Sequence, residues 1–275
     1  MTNKEKIKQL SETIKKLSET QCYSISIKEK EIPEIFDSKI GGLPYWKSNI
    51  ENYPKNSEGK NMFLLAQINF EKENTKAPLP SKGLLQFYIS DDDLMGMDFD
   101  DQVKQKNFRI IYHEKIDYSI TKEFIEKLNI PDSNKANNYP VNGEYKISLN
   151  KTKTYINYYD FNFDKIFAKA YKEVFGKKLK PKERYDEVLE QEELDILEEE
   201  LEEDSRHKML GYAYFTQEDP RYMEKYKKYD TLLLQLDSED NYIMWGDLGV
   251  ANFFINRKSL EEKNFNDVLY NWDCT

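Results

Sequence analysis

The sequence predicts an α+β fold that is internally duplicated: two similar halves, each a mainly antiparallel sheet with helices, packed as one body. The first observation behind this is that four stretches recur in one order. Gly42-Leu43-Pro44-Tyr45-Trp46 matches Gly211-Tyr212-Ala213-Tyr214-Phe215, and Phe63-Leu64-Leu65-Ala66-Gln67-Ile68 matches Thr231-Leu232-Leu233-Leu234-Gln235-Leu236. Gly83-Leu84-Leu85-Gln86-Phe87-Tyr88-Ile89 matches Gly249-Val250-Ala251-Asn252-Phe253-Phe254-Ile255, and Asp98-Phe99-Asp100-Asp101 matches Asn264-Phe265-Asn266-Asp267. A repeat of roughly 75 to 90 residues holds its own strands and helix, unlike the short units of solenoids. The second observation is that the matched apolar runs have strand length and are bounded by Gly, Pro and acidic turns. The third is a set of helical stripes confined to the start and middle of the chain.

In chain order, Thr2 with Glu5 forms a capping box ahead of Ile7, Leu10, Ile14 and Leu17, which share one helical stripe. Tyr23, Ile25 and Ile27 alternate as a strand, and residues 1–30 are read as an N-terminal helix and strand. The first repeat unit spans 31–115, with strands at 62–70, 83–89 and 107–112. Residues 116–206 connect the units. There, Glu123 to Leu128 reads as a short helix, 144–149 and 153–159 as strands, and Asn162 to Phe175 as a helix closed by Gly176. Lys182 to Glu203 reads as one long acidic helix with Tyr185, Val188, Leu189, Ile196, Leu197 and Leu201 near one face. The second unit, 207–275, carries a short helix at 221–228, strands at 231–237 and 250–256, a turn near Ser259 and a final extended segment. Two halves joined around a pseudo-twofold axis would leave a cleft between them, where pockets tend to form.

Charge is concentrated, and that decides its meaning. The net charge of the 275 residues is −10, yet residues 183–204 alone hold 13 acidic side chains against the single Arg184, so the remainder is close to neutral. Nucleic-acid binding calls for a basic stripe along phosphates, and the lysines read as scattered through both halves, so no nucleic-acid partner is expected. No run of about 18 apolar residues is present and no apolar signal core follows Met1, which gives no membrane partner and a cytoplasmic location as expectations. Cys22 and Cys274 sit near opposite ends and offer no disulfide framework. With His113 and His207 the only histidines, no zinc spacing exists. Asp91-Asp92-Asp93-Leu94-Met95-Gly96 fails as a calcium loop, because Met95 and Gln102 stand at ligand positions. No metal and no cofactor are expected.

Glycine-rich phosphate loops, nucleophile elbows and His-Glu-x-x-His are all missing. The richest polar text is Thr216-Gln217-Glu218-Asp219-Pro220-Arg221, where Asp219 before Pro220 starts a helical turn, and Trp245-Gly246-Asp247-Leu248-Gly249, a tight turn between strands. Gln67 and Gln235 are unusual in apolar strands, since a buried amide must find partners; they bond across the pseudo-twofold axis or point into the cleft. Candidate binding residues are therefore Gln67, Gln235, Asp219, Arg221, Trp245, Asp247, Asn252 and Trp46.

The stretches Gly211 to Arg221, Leu233 to Leu236, Met244 to Ile255 and Leu269 to Cys274, with Ile40 to Trp46 and Lys82 to Phe87 in the first half, resemble the YwqG-like bacterial family of unknown function. The resemblance covers nearly the whole chain. It implies an intracellular α+β protein with a duplicated core, and it brings no activity, cofactor or catalytic residue.

The functional expectation is a cytoplasmic binding or interaction module for an unknown protein or small-molecule partner. An immunity-like protein that blocks a partner through a cleft or through the acidic helix fits this class. The alternative is an enzyme with a carboxylate-based site between the halves, drawing on Asp219, Asp237, Asp247 or Asp273 with Arg221. A third reading is a small-ligand sensor whose cavity is lined by Tyr45, Trp46, Trp245 and Trp272.

Overall fold

The computed structural model describes residues 2–136, 138–202 and 207–275. Its first helix, α1 (Asn3–Ser18), begins at the expected capping box, with Glu5 N–H donating to Thr2 Oγ1 and Thr2 N–H to Glu5 Oε2. Ile7, Leu10 and Ile14 are buried, but Leu17 is 42% exposed. The stripe continues instead to Ser18, whose hydroxyl donates to Ile14 O and accepts from Ile156 N–H. Strands β1 (Thr20–Ile27), β2 (Lys39–Gly41), β3 (Phe63–Asn69), β4 (Leu84–Ile89) and β5 (Phe108–His113) follow, then helix α2 (Lys122–Lys127) and the long strand β6 (Glu144–Thr154). The second half adds helices α3 (Phe163–Phe175), α4 (Tyr185–Val188) and α5 (Gln191–Leu201), then β7 (Lys208–Met209), β8 (Thr231–Asp237), β9 (Val250–Ile255), α6 (Arg257–Glu261) and β10 (Val268–Asp273).

Three expectations are corrected by this layout. Residues 144–149 and 153–159 are not two strands: β6 is continuous and stops at Thr154, opposite Thr20, because its partner β1 starts there. The acidic segment is not one helix but α4 and α5, separated by extended Leu189 and Glu190. Carboxylates one turn apart repel within a helix, and Glu193 restarts the helix by accepting the Glu190 N–H at 3.0 Å. Its expected end at Glu203 lies outside the described residues. The expected helix at 221–228 is a pair of 3-10 turns, Pro220–Tyr222 and Glu224–Tyr226.

All strands join one antiparallel sheet in the order β10-β9-β8-β7-β1-β6-β2-β3-β4-β5. The sheet curls until its ends nearly meet. Phe87 of β4 and Phe253 of β9 touch with ring centroids 5.1 Å apart, and Phe108 of β5 lies 5.2 Å from Tyr270 of β10. An apolar core therefore fills the space where a cleft between halves is expected. The remaining edge is sealed by the segment before β5. Tyr270 N–H donates to Gln102 O at 3.0 Å, and Ile110 N–H donates to Gln105 Oε1 at 2.9 Å, which leaves these donors unavailable for edge pairing.

Backbone and hydrogen-bond details recur between the halves. Gly41 and Gly42 have φ of 70° and 72°, and Leu210 and Gly211 have φ of 63° and 75°. At Gly211 a Cβ would lie 2.4 Å from Thr154 Cγ2, so glycine is required there on two grounds. β3 carries a register shift between Leu64 and Ala66 against β4, and β8 one between Leu232 and Leu234 against β9. Outside the sheet, α1, α3, α4 and α5 form a separate apolar layer in which Leu10, Phe163, Phe167, Tyr185, Leu197 and Leu201 are buried together.

Candidate functional site

The most polar buried cluster grows from Asp219-Pro220-Arg221. Pro220 fixes the turn, Asp219 accepts the Arg221 N–H at 2.9 Å, and the arginine side chain folds back on the same carboxylate. Its Nε and Nη2 reach Asp219 at 2.9 and 2.7 Å, and Nη2 also donates to Asp160 Oδ2 at 3.0 Å. The guanidinium sits between the Phe161 and Phe254 rings, 4.6 and 4.1 Å from their centroids. Arg221, Asp160 and Asp219 side chains are 4%, 3% and 0% exposed, so the cluster is closed to solvent. Burial pushes the Asp160 carboxyl above its usual range against the pull of Arg221. Burial also works against the charge on Arg221, but Asp160 and Asp219 outweigh it and hold the guanidinium above its usual value. The sequence reading missed Asp160, because a pairing across 61 residues leaves no local spacing to read.

Gln67 and Gln235 do not meet across an axis, and both are fully buried within their own halves. Gln67 Oε1 accepts from Tyr45 N–H at 3.0 Å and from Gln86 Nε2 at 2.8 Å, while its Nε2 donates to Ile35 O and Asp37 O. Gln235 Oε1 accepts from Tyr214 N–H at 2.8 Å. The next strand repeats the match: Gln86 Nε2 donates to Tyr45 O, and Asn252 Nδ2 to Tyr214 O, each at 2.8 Å. These amides hold the Gly42–Trp46 and Gly211–Phe215 loops against their strands.

The two strands then differ. Gln86 Oε1 accepts from Tyr88 Oη at 3.0 Å and lies 2.8 Å from His113 Nε2, whereas buried Asn252 Oδ1 has no hydrogen-bond partner among the described residues. His113 stands opposite Leu84 as Asp273 stands opposite Val250. Asp273 uses its carboxylate to accept from Thr216 N–H, Thr216 Oγ1 and Gln217 N–H.

Burial, with a smaller contribution from Lys47, pushes the His113 imidazole down to about 4. An unfolded histidine titrates near its ordinary value of 6.5, so the unfolded chain takes up this proton first as the pH falls. The stabilising contribution is complete above about pH 6.5 and is lost down to about pH 4, roughly 3 kcal/mol in all. Urea unfolding between pH 7 and 4 checks this. His113→Gln is expected to flatten the slope, and an equally steep slope in the variant would refute the assignment.

The other predicted residues are dispersed. Trp46 is buried and its Nε1 donates to Asn49 O, while Trp245 is fully buried in the core and its Nε1 has no partner among the described residues. Tyr45 is likewise buried, and only Trp272 is partly open. Asp247 is exposed, and its backbone carbonyl accepts from Thr275. Asp237 lines a polar groove of about 550 Å³ with Ser24, Ser26, Glu29, His207 and Glu239. A second groove, about 510 Å³, contains Lys39, whose side chain is 1% exposed and whose ammonium lies 2.8 Å from Glu144. Burial pushes that ammonium below its usual value, and Glu144 opposes the shift. Among the described residues, no group of three His, Cys, Asp or Glu side chains is placed to hold a metal ion.

A family model described as "Domain of unknown function (DUF1963)" matches residues 38–274. The chain belongs to that family. No curated protein matches it. The DUF1963 span contains the buried ionic cluster, the strand amides Gln67, Gln86, Gln235 and Asn252, and Lys39, while Ile32 to Phe36, which also line the Lys39 groove, precede it. It begins after β1, although β1 stands in the middle of the sheet. No helix among the described residues is long and apolar enough to cross a membrane.

Proposed function

We propose that this DUF1963 protein is a cytoplasmic binding module that captures a protein partner with a basic face, in the manner of an immunity protein. The observation that carries the reading is the construction of α4 and α5. Tyr185, Leu189, Leu197 and Leu201 are buried, which fixes the backbone, while Asp186, Glu187, Glu190, Glu192, Asp195 and Glu199 point to solvent. Of these six, Asp186 has a cation within ion-pair distance, Arg184. An anchored acidic face steers a basic partner and makes its association salt-dependent. Internal duplication and membership of the YwqG-like group belong to the same reading; the matched positive-φ pairs, bulges and amide bonds support the first, and the second rests on the sequence resemblance alone.

Two of the four carboxylates that an enzyme between the halves would draw on are engaged elsewhere. Asp219 is sealed against Arg221, and Asp273 is committed to Thr216 and Gln217. Replacing Glu187, Glu190, Glu192, Asp195 and Glu199 by their amides tests the binding reading. Capture of the partner at low salt is expected to fall at least tenfold, while the parent protein loses its capture as salt rises. Equal capture by both proteins at every salt concentration would exclude the acidic face.

A further inference from the structure

The lysines of the connecting region are not scattered once folded. Lys165, Lys169 and Lys172 lie four and three residues apart on α3, so they share one face of the helix. The chain then turns at Gly176, which takes the left-handed conformation at φ 68°, and brings Lys178, Lys180 and Lys182 to the other side of a groove of about 420 Å³. Its floor includes Ala168 and Leu179. Two acids also line it, and both are committed to the backbone: Asp164 accepts the Tyr185 N–H at 3.1 Å and Glu183 the Lys180 N–H at 2.7 Å. Lys180 has Glu183 at 3.7 Å, while the other five lysines have no ion-pair partner among the described residues.

We infer that this groove is an anion site for a small molecule carrying a chain of phosphate groups. Unpaired lysines around one concavity repel each other, and a multiply charged anion removes that repulsion. Ammonium groups on flexible stems act as point charges, the way lysines bind phosphate in phosphate loops, and several of them around one groove suit an anion that carries several charges. The volume suits a small ligand. A long polyanion is disfavoured by what surrounds the groove, because the chain passes directly from Glu183 into the exposed carboxylates of α4 and α5. With a screening length of about 8 Å at physiological salt, a compact anion in the groove feels the lysines more than the protein's net charge. The site is separate from the acidic face and does not depend on it.

Titration calorimetry of the full chain with tripolyphosphate, ATP and orthophosphate tests the inference. Tripolyphosphate and ATP are expected to bind at one site, at least tenfold more tightly than orthophosphate, with affinity falling as salt rises. Equal affinity for the two assigns recognition to the phosphate chain alone, and tighter ATP binding adds the nucleoside. Lys169→Gln/Lys172→Gln/Lys178→Gln is expected to weaken binding at least tenfold, and Lys115→Gln/Lys127→Gln/Lys135→Gln to leave it unchanged. All six positions are exposed, so both variants fold. Absence of binding, equal loss in the two triple variants, or tighter binding of single-stranded RNA than of tripolyphosphate would overturn the inference.

Discussion

Replacing Arg221 with leucine is expected to lower the unfolding free energy by about 3 to 5 kcal/mol, because it leaves two carboxylates buried together without a counter-charge. The parent cluster has net charge −1 in a site where its three side chains are at most 4% exposed. Arg221→Lys is expected to fall between parent and leucine variant. Lysine keeps a charge but cannot form the paired contacts to Asp219 or stack as a plane between Phe161 and Phe254. The loss also carries a pH signature. Asp160 already titrates above its usual range, and without Arg221 it rises further, so its protonated form dominates at higher pH. A carboxyl whose folded value is raised stabilises below the unfolded value and loses that contribution as pH rises through the folded one. The Arg221→Leu penalty should therefore be smaller at pH 5 than at pH 7. Adding Asp160→Asn and Asp219→Asn should restore most of the stability. Urea titrations of these variants provide the measurement. A loss below about 1 kcal/mol at pH 7, or no recovery with the two asparagines, would show that the cluster is not a buried ionic unit.

The second large effect is expected at Gln67. Leucine there removes one acceptor used by Tyr45 N–H and Gln86 Nε2, and a donor pair used by Ile35 O and Asp37 O. Stranding several buried groups at roughly 1–3 kcal/mol each gives a loss on the order of 4 kcal/mol, after local relaxation. The neighbouring strand supplies an internal comparison. Gln86→Leu strands Tyr45 O, Gln67, Tyr88 and His113, whereas Asn252→Leu strands Tyr214 O and removes an oxygen that has no partner. Gln86→Leu is therefore expected to cost more than Asn252→Leu. Chemical unfolding of the three variants tests the order. The assignment of these amides as loop clamps fails if Asn252→Leu is the more damaging change.

Both predictions concern residues that the sequence made conspicuous for a different reason. Gln67 and Gln235 stand out in apolar strands because a buried amide always needs partners. Their partners, the backbones of Tyr45 and Tyr214, lie more than 20 residues away along the chain. Asp219-Pro220-Arg221 is legible as a turn, because the proline geometry is local. Its closure onto Asp160 depends on how α3 and β9 pack and is not. For the same reason Trp46 and Trp245 read as candidates for a ligand and are found in the core.

The sequence alone determined the helix start at Thr2 and Glu5, the Gly176 helix end and most strand positions. Each depends on interactions within a few residues or on a pattern of burial repeated along the chain. The tertiary structure decided that all ten strands join one sheet, with β1 and β6 at its middle. It also decided that Phe87 meets Phe253 where a cleft was expected, and that the lysines after α3 gather around one groove while the acids of α4 and α5 face outward. Such arrangements follow from which apolar faces find each other across long sequence separations. Local propensity and charge counts carry no record of that choice.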